Sequence, residues 1–240
     1  MAAQVHDIYA SCVLPPGSTA IRVLDLSPGN EDDDIHADMR VVSLDTGSPA
    51  QYECLSYVWG EGPDEMSAIV NGQLFPIKKN LHDALRYIRS NTTKLIVWVD
   101  AICINQADLD EKSSQVALMT EVYRQCSRVY IWLGVPRTGS LTGSPFAFLD
   151  HFISGKHFYE FPGFEQDEAS GDLIWGAKEE CDNILDDFLQ FAESPWWTRA
   201  WTVQECLLPQ REMLGGECRH RWRVWGPHLN ILIGQKLILA

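Results

Sequence analysis

The 240-residue chain carries 33 acidic against 19 basic side chains, a formal net charge of −14, with 45% hydrophobic and 22% charged residues. Such a composition supports a sizeable buried core in one large domain, or one domain plus an appendage. The acidic balance excludes a general nucleic-acid binder, because neutralising phosphates requires clustered Lys and Arg, and its simplest effect is solubility. The start, MAAQVHDIYASCVLPPG, lacks a basic segment followed by an apolar one, so no secretory signal is expected. No apolar run approaches the roughly 20 residues needed to span a bilayer. Cys12, Cys54, Cys103, Cys126, Cys181, Cys206 and Cys218 are scattered and never form a CxxC pair. That pattern fits reduced thiols in a cytoplasmic protein. Cys218 and His220 alone do not make a metal site, so no metal is expected.

In chain order, residues 1–19 read as a loose lead-in ending in the turn former Pro15-Pro16-Gly17. Ile21–Leu26 and Met39–Leu44 are strand candidates, a hairpin or edge strands beside a main sheet, separated by an acidic, solvated loop. Tyr52–Trp59 (YECLSYVW) is a strand closing on Gly60. The segments around Asn71-Gly72 predict a small hairpin, because Asn-Gly is the favoured two-residue turn. Asn80 is placed to cap a helix over Leu81–Arg89, whose Leu81, Ala84, Leu85 and Ile88 make one apolar stripe.

The clearest unit is 95–134, a βαβ. Leu95–Val99 and Val129–Leu133 are apolar and rich in β-branched and aromatic residues. Between them Val116, Met119, Tyr123 and Cys126 follow helical spacing, and Asp108 with Glu111 fits a capping box. Strands joined this way lie parallel, with a right-handed crossover that brings their carboxyl ends to one edge. The whole predicts an open, mainly parallel α/β sheet flanked by helices, with additional N-terminal strands. Residues 136–175 shift to Gly, Ser, Pro and Phe and read as a variable insertion or lid. Cys181–Glu193 predicts an amphipathic helix, and Ser194-Pro195 supplies the N-cap and first residue of another. Arg211–Leu214 and Arg221–Val224 are short edge-strand candidates. The apolar ILIGQKLILA at the end reads as a core-docking or shortened terminus.

Ligands of open α/β sheets bind outside the carboxyl ends of the strands. The side chains gathered there are Trp59, Gly60 and Glu61 after the first strand, and Asp100, Cys103, Asn105 and Gln106 after the second. The helix beginning at Pro195 adds Trp197, Trp201, Gln204, Glu205 and Leu208 at one-turn spacings, which stacks Glu205 on Trp201. A carboxylate held against indoles is desolvated and binds protons and hydroxyl-bearing ligands more strongly, making Glu205 the catalytic candidate. The competing reading is that Gln204 and Glu205 are the exposed end of a helix docked through its tryptophans. Cys103 invites a nucleophile reading with His82 or His151 as base, whereas its neighbours Ile102 and Ile104 point to a packed residue. Neither GxGxxG nor GxxxxGK[ST] occurs, so no phosphate-cradling loop is indicated.

Three segments in this order, YECLSYVWG (52–60), the 95–134 unit and SPWWTRAWTVQE (194–205), resemble the fungal heterokaryon incompatibility (HET) domain, over about residues 20–215. The remaining 216–240 would be a C-terminal extension or a shortened end. The resemblance implies a cytoplasmic protein that triggers programmed cell death on meeting non-self, through self-association and control by a partner such as a NOD-like receptor. HET domains are in turn similar to Toll/interleukin-1 receptor (TIR) domains, which implies a flavodoxin-like fold. Leu55–Gly60 looks like the Leu-Ser-Phe-Arg-Gly strand end of plant TIR domains, with Trp59 in place of the Arg. Ser194 and Trp201-Thr-Val-Gln-Glu205 look like their Ser-x-Trp and Trp-xxx-Glu pattern, with Ser and Trp further apart here. In that pattern the Glu cleaves NAD, so Glu205 carries over as catalytic. Ser56, Tyr57, Trp59, Gly60, Asp100, Asn105, Gln106 and Trp201 would border the NAD, a substrate, with no cofactor required. The alternative within the same cell-death signalling is a non-catalytic oligomerisation module, using the aromatic residues around 196–201 as a docking patch.

Overall fold

A computed structural model describes residues 8–30, 32–45, 52–135, 155–157, 160, 164–175, 189, 192–200, 229–233 and 236–239. The N-terminal strands are β1 (Ala20–Leu26) and β2 (His36–Ser43), followed by β3 (Glu53–Tyr57) and the pair β4 (Met66–Val70) and β5 (Gln73–Ile77). Helix α1 (Lys79–Ile88), β6 (Leu95–Trp98), a single helical turn Asp100–Cys103, α2 (Leu109–Gln125) and β7 (Arg128–Trp132) complete the central unit. Later come β8 (Phe164–Gln166), β9 (Leu173–Trp175), a 3-10 turn Pro195–Thr198, β10 (Leu229–Ile233) and β11 (Lys236–Leu239).

Nine strands form one mixed sheet in the order β11-β10-β7-β3-β6-β1-β2-β4-β5, and β8 pairs with β9 in a separate ribbon. The α/β class expected from the alternation of strands and helices is therefore present. β10, β7, β3 and β6 are mutually parallel neighbours. Within that quartet the chain starts at β3, steps to β6 on one side, then crosses to β7 and β10 on the other. The winding thus reverses between β3 and β7.

The register also assigns the helices to opposite faces. Trp98 lies opposite Cys54 and Trp132 opposite Tyr57, and residues three apart on a strand point to opposite faces. Trp98 packs edge-on against Tyr123 of α2, at 5.7 Å between ring centroids. Trp132 lies 5.0 Å from Tyr87 of α1. The core consists of buried side chains from β1–β7 and both helices, continuous across the two faces.

Several expectations are corrected. β1 and β2 form the expected antiparallel hairpin, but they do not lie at the edge, because β1 also pairs antiparallel with β6 and so joins the hairpin to the main sheet. The lead-in is anchored from Ile8 onward. Ile8 is buried, and the buried Tyr9 donates its hydroxyl to the carbonyls of Ile102 and Ile104, at 2.9 and 3.2 Å. The Asn71-Gly72 hairpin forms as expected, both residues having positive φ, 51° and 75°. It is not isolated, since β4 pairs parallel with β2.

Asn80 lies inside α1 rather than at its cap, and Lys78 in the capping position makes no side-chain cap bond. Asp108 caps α2 by accepting from the amides of Asp110 and Glu111. Glu111 does not complete the box, because the buried Arg22 captures it at 2.6 and 2.9 Å. Ser194 caps the turn beginning at Pro195 as expected, yet the turn ends at Arg199, whose backbone is extended (ψ 136°). No continuous helix therefore runs from Trp197 into the following residues. The terminal apolar segment is a β-hairpin, β10–β11, added to β7. The expected helix at 181–193 and the short strands at 211–214 and 221–224 lie wholly or almost wholly outside the described residues.

Candidate functional site

The carboxyl ends of β3 and β6 meet at Asp100. β6 stops at Trp98 because the backbone turns helical at Asp100, whose Oδ1 accepts from the Ala101 amide at 2.7 Å. The Trp59 indole, two residues beyond β3, donates to Asp100 Oδ2 at 2.8 Å. Tyr57, at the end of the strand, lies near enough to the same carboxyl group for its charge to act on the phenol. Burial first, then the neighbouring Asp100, push the Tyr57 phenol well above its ordinary value, while Arg199 pulls the other way. Tyr57 is therefore a neutral donor throughout the physiological range, and Asp100 pins the Trp59 ring at the strand mouth.

The loop after Asp100 is held from two sides. Gln106 Nε2 donates back to the Asp100 carbonyl at 3.0 Å. The Asn105 amide donates to Glu111 Oε1 at 2.7 Å, while Asn105 Oδ1 accepts from the Ala107 amide at 3.2 Å. Arg22 is 2% exposed. It fastens this loop to β1 and the N-terminal turn through the Cys103 carbonyl at 3.2 Å, the Cys12 carbonyl at 2.7 Å and Glu111. Arg22 was not singled out from sequence, although it shares strand parity with buried Ala20, Leu24 and Leu26, the one available signal.

Two cavities open here, with Trp59 and Gln106 lining both. One, of about 440 Å³, lies on the α2 side and includes Gly60, Glu61, Asp100, Lys112 and Arg199. The other, of about 320 Å³, lies towards β5 and α1 and includes Tyr9, Tyr57, Phe75, Lys78, Asn105 and Ala107. Tyr57, Trp59, Gly60, Asp100, Asn105 and Gln106 are thus brought together. Ser56 sits elsewhere. It is 1% exposed, and its hydroxyl accepts from the Trp196 indole at 2.6 Å. Trp196 is itself fully buried, so it packs the interior rather than presenting a docking surface. Glu205 and Trp201 lie outside the described residues, as do His151, Cys218 and His220.

At the reversal between β3 and β7 the chain closes the gap with Asn80. Its Nδ2 donates to the Val58 carbonyl at 2.6 Å and its Oδ1 accepts from the Trp132 indole at 2.7 Å. The two cavities consequently lie on the β3/β6 side of the reversal. Cys103 is wholly buried, its sulfur accepts from the Val99 amide at 3.4 Å, and burial pushes its pKa up to about 12. That is the environment of a packed thiol, not a nucleophile. Among the described residues no helix is long and apolar enough to cross a membrane, and no cluster of His, Cys, Asp and Glu could hold a metal ion.

Residues 52–205, more than half of the chain, match the family model described as heterokaryon incompatibility protein (HET). The chain belongs to the HET family. It is 31% identical to heterokaryon incompatibility protein 6, OR allele, of Neurospora crassa, over 83% of this chain and 33% of that protein. It is 22% identical to vegetative incompatibility protein HET-E-1 of Podospora anserina, over 69% of this chain and 10% of that protein. The chain therefore spans a third of the length of the first relative and a tenth of the second. No solved structure matches. The matched segment contains β3 through β7 and the turn at Ser194, and with them all the lining of the Asp100 cavity and all but Tyr9 of the other.

Proposed function

We propose that the chain is a heterokaryon incompatibility module that drives cell death by cleaving the nicotinamide–ribose bond of NAD in the cavity beside Asp100. The observation that carries this reading is that cavity itself. It holds about 440 Å³ outside the carboxyl ends of two parallel strands, with a pinned indole wall and with Lys112 and Arg199 among its lining. A flat ring suits the indole face, and the two cations suit a diphosphate in a chain whose net charge is otherwise −14. The strand order β6-β3-β7-β10 supports a flavodoxin-like, TIR-like reading of the sheet. In the reaction the ribose develops oxocarbenium character, and a carboxylate orienting its hydroxyls stabilises that charge. Glu205 is assigned that role through its resemblance to the TIR pattern, with Trp201 beside it, while Trp59 walls the pocket and Asp100 holds Trp59. The protein acts in the cytoplasm, self-associated, under an incompatibility partner such as a NOD-like receptor.

The test is NAD turnover by the purified chain, free and fused to an oligomerising tag, compared with Glu205→Gln. Turnover in the assembled native protein that vanishes in a folded Glu205→Gln variant supports the reading. Absence of turnover in the assembled state transfers the function to a non-catalytic oligomerisation module.

A further inference from the structure

A third cavity, of about 500 Å³, has no part in the reaction above. Its walls are the N-terminal turn at residues 13–18 and the start of α2, with Asn105 before it. Four charged residues line it: Arg22, Asp108, Asp110 and Glu111. Arg22 and Glu111 are spent on each other, at 2.6 and 2.9 Å, and Arg22 is further held by the Cys12 and Cys103 carbonyls. Asp108 gives its Oδ1 to the amides of Asp110 and Glu111, which also covers the positive end of α2. Its Oδ2 and the whole Asp110 carboxylate take no hydrogen bond or ion pair among the described residues.

A further acceptor comes from the interior. Gln115 is 4% exposed and lines the same cavity. Its Nε2 donates to the Ala20 carbonyl at 3.1 Å, which fixes the amide and leaves its oxygen without a donor among the described residues. A buried amide oxygen is costly to leave unpaired, so it marks a place where a donor from outside belongs. Three carboxylates against one guanidinium, and free groups that all accept, exclude an anion and call for a donor-rich cation. Separate acceptors on two turns of a helix suit the fork of a guanidinium better than the point charge of an ammonium. The other wall carries no charge and is apolar, through Val13, Leu14, Pro15 and Pro16. Val13 is 67% exposed, and Leu109, between the two aspartates in sequence, is 74% exposed.

We propose that this cavity docks an arginine side chain of a partner protein, carried on a short segment whose apolar residues rest on Val13, Pro15 and Pro16. The charge of the lining selects the arginine, and the exposed apolar wall selects its neighbours. The site is separate from the NAD reading and does not depend on it.

The probes are acetyl-Leu-Arg-Leu-amide and its citrulline counterpart, which keeps the shape and loses the charge. Each is titrated into the native chain, Asp110→Asn, Asp110→Lys and Asp38→Asn, and the backbone amide shifts are followed by NMR. The Asp110 carboxylate makes no bond within the described residues, so its replacement leaves the fold intact. Asp38→Asn removes the same charge from an exposed side chain that does not line the cavity. Support is a saturable shift at residues 13–18 and 105–115 with the arginine peptide only. That binding should weaken about threefold or more in Asp110→Asn, vanish in Asp110→Lys and stay native-like in Asp38→Asn. Three results overturn the proposal: no saturable shift at those residues, equal binding of the citrulline peptide, or equal effects of Asp110→Asn and Asp38→Asn. The last would mean that the net charge of −14 alone attracts the peptide.

Discussion

Replacing Glu111 with Ala is expected to be among the most damaging single changes in this chain. Its carboxylate holds Arg22 at 2.6 and 2.9 Å, and the arginine side chain is 2% exposed. Removing one partner of a buried pair strands the other charge, which costs about 3–5 kcal/mol, a large part of the 5–15 kcal/mol that ordinarily stabilises a domain. The Asn105 amide loses its acceptor in the same step. Replacing both residues, Arg22→Met with Glu111→Leu, removes the stranded charge but leaves the Cys12 and Cys103 carbonyls without their donor. Each such carbonyl costs about 1–3 kcal/mol where water cannot reach it. The double variant should therefore also remain below the native protein, by about 2–6 kcal/mol from the two carbonyls. Urea denaturation of the four proteins in the cycle, at constant m value, measures this directly. A Glu111→Ala variant within about 1 kcal/mol of native would refute the reasoning, since it would mean the guanidinium is adequately solvated without its carboxylate. Amide exchange in residues 100–106 provides a second readout, because the same pair fastens the loop that carries Asp100.

Asn80→Leu should lose about 1–3 kcal/mol, because it leaves the Trp132 indole and the Val58 carbonyl unpartnered at the strand reversal; thermal melting checks this, and an unchanged midpoint would contradict it. The Cys103 thiol is raised from 9.0 to about 12, so the folded state holds that proton more tightly. Its stabilising share is fully present below about pH 9 and is lost progressively as the pH rises towards 12, and Cys103→Ala should flatten the alkaline fall of a stability–pH curve. Thiol labelling at pH 8 should reach Cys103 only on unfolding, and native-state labelling at a free-thiol rate would show that it is exposed. Ser56→Ala removes the hydroxyl that accepts from the buried Trp196 indole and should cost about 0.5–1.5 kcal/mol, read by thermal melting, with an unchanged midpoint contradicting it.

Much of the framework was legible because it is local. The β-branched runs around 53–57, 95–98 and 128–132, the helical period of 109–125 and the Asn71-Gly72 turn each express a backbone preference within a few residues. Residues following the strands could be gathered at one edge for the same reason, since parallel strands share a carboxyl end. The side-chain partners were not legible. Glu111 has sound capping spacing, yet it pairs with an arginine 89 positions earlier. Asn80 looked like a cap and instead reaches across to Trp132, 52 positions on. Ser56 stood in a motif at a strand end and is occupied by Trp196, 140 positions away.

By itself the sequence determined the elements from β3 to β7, the parallel βαβ core and the family, all of which follow from short-range periodicity and contiguous motifs. Tertiary structure alone decided which side of β3 stays open, and that outcome turns on polar groups meeting across long sequence separations. An Asn amide closes the β3/β7 gap, a buried guanidinium fastens the loop beyond β6, and Asp100 turns one tryptophan into the wall between two cavities. Such contacts leave no periodic trace, because each is a single satisfied donor or acceptor in the folded chain, and its neighbours in sequence carry no record of it.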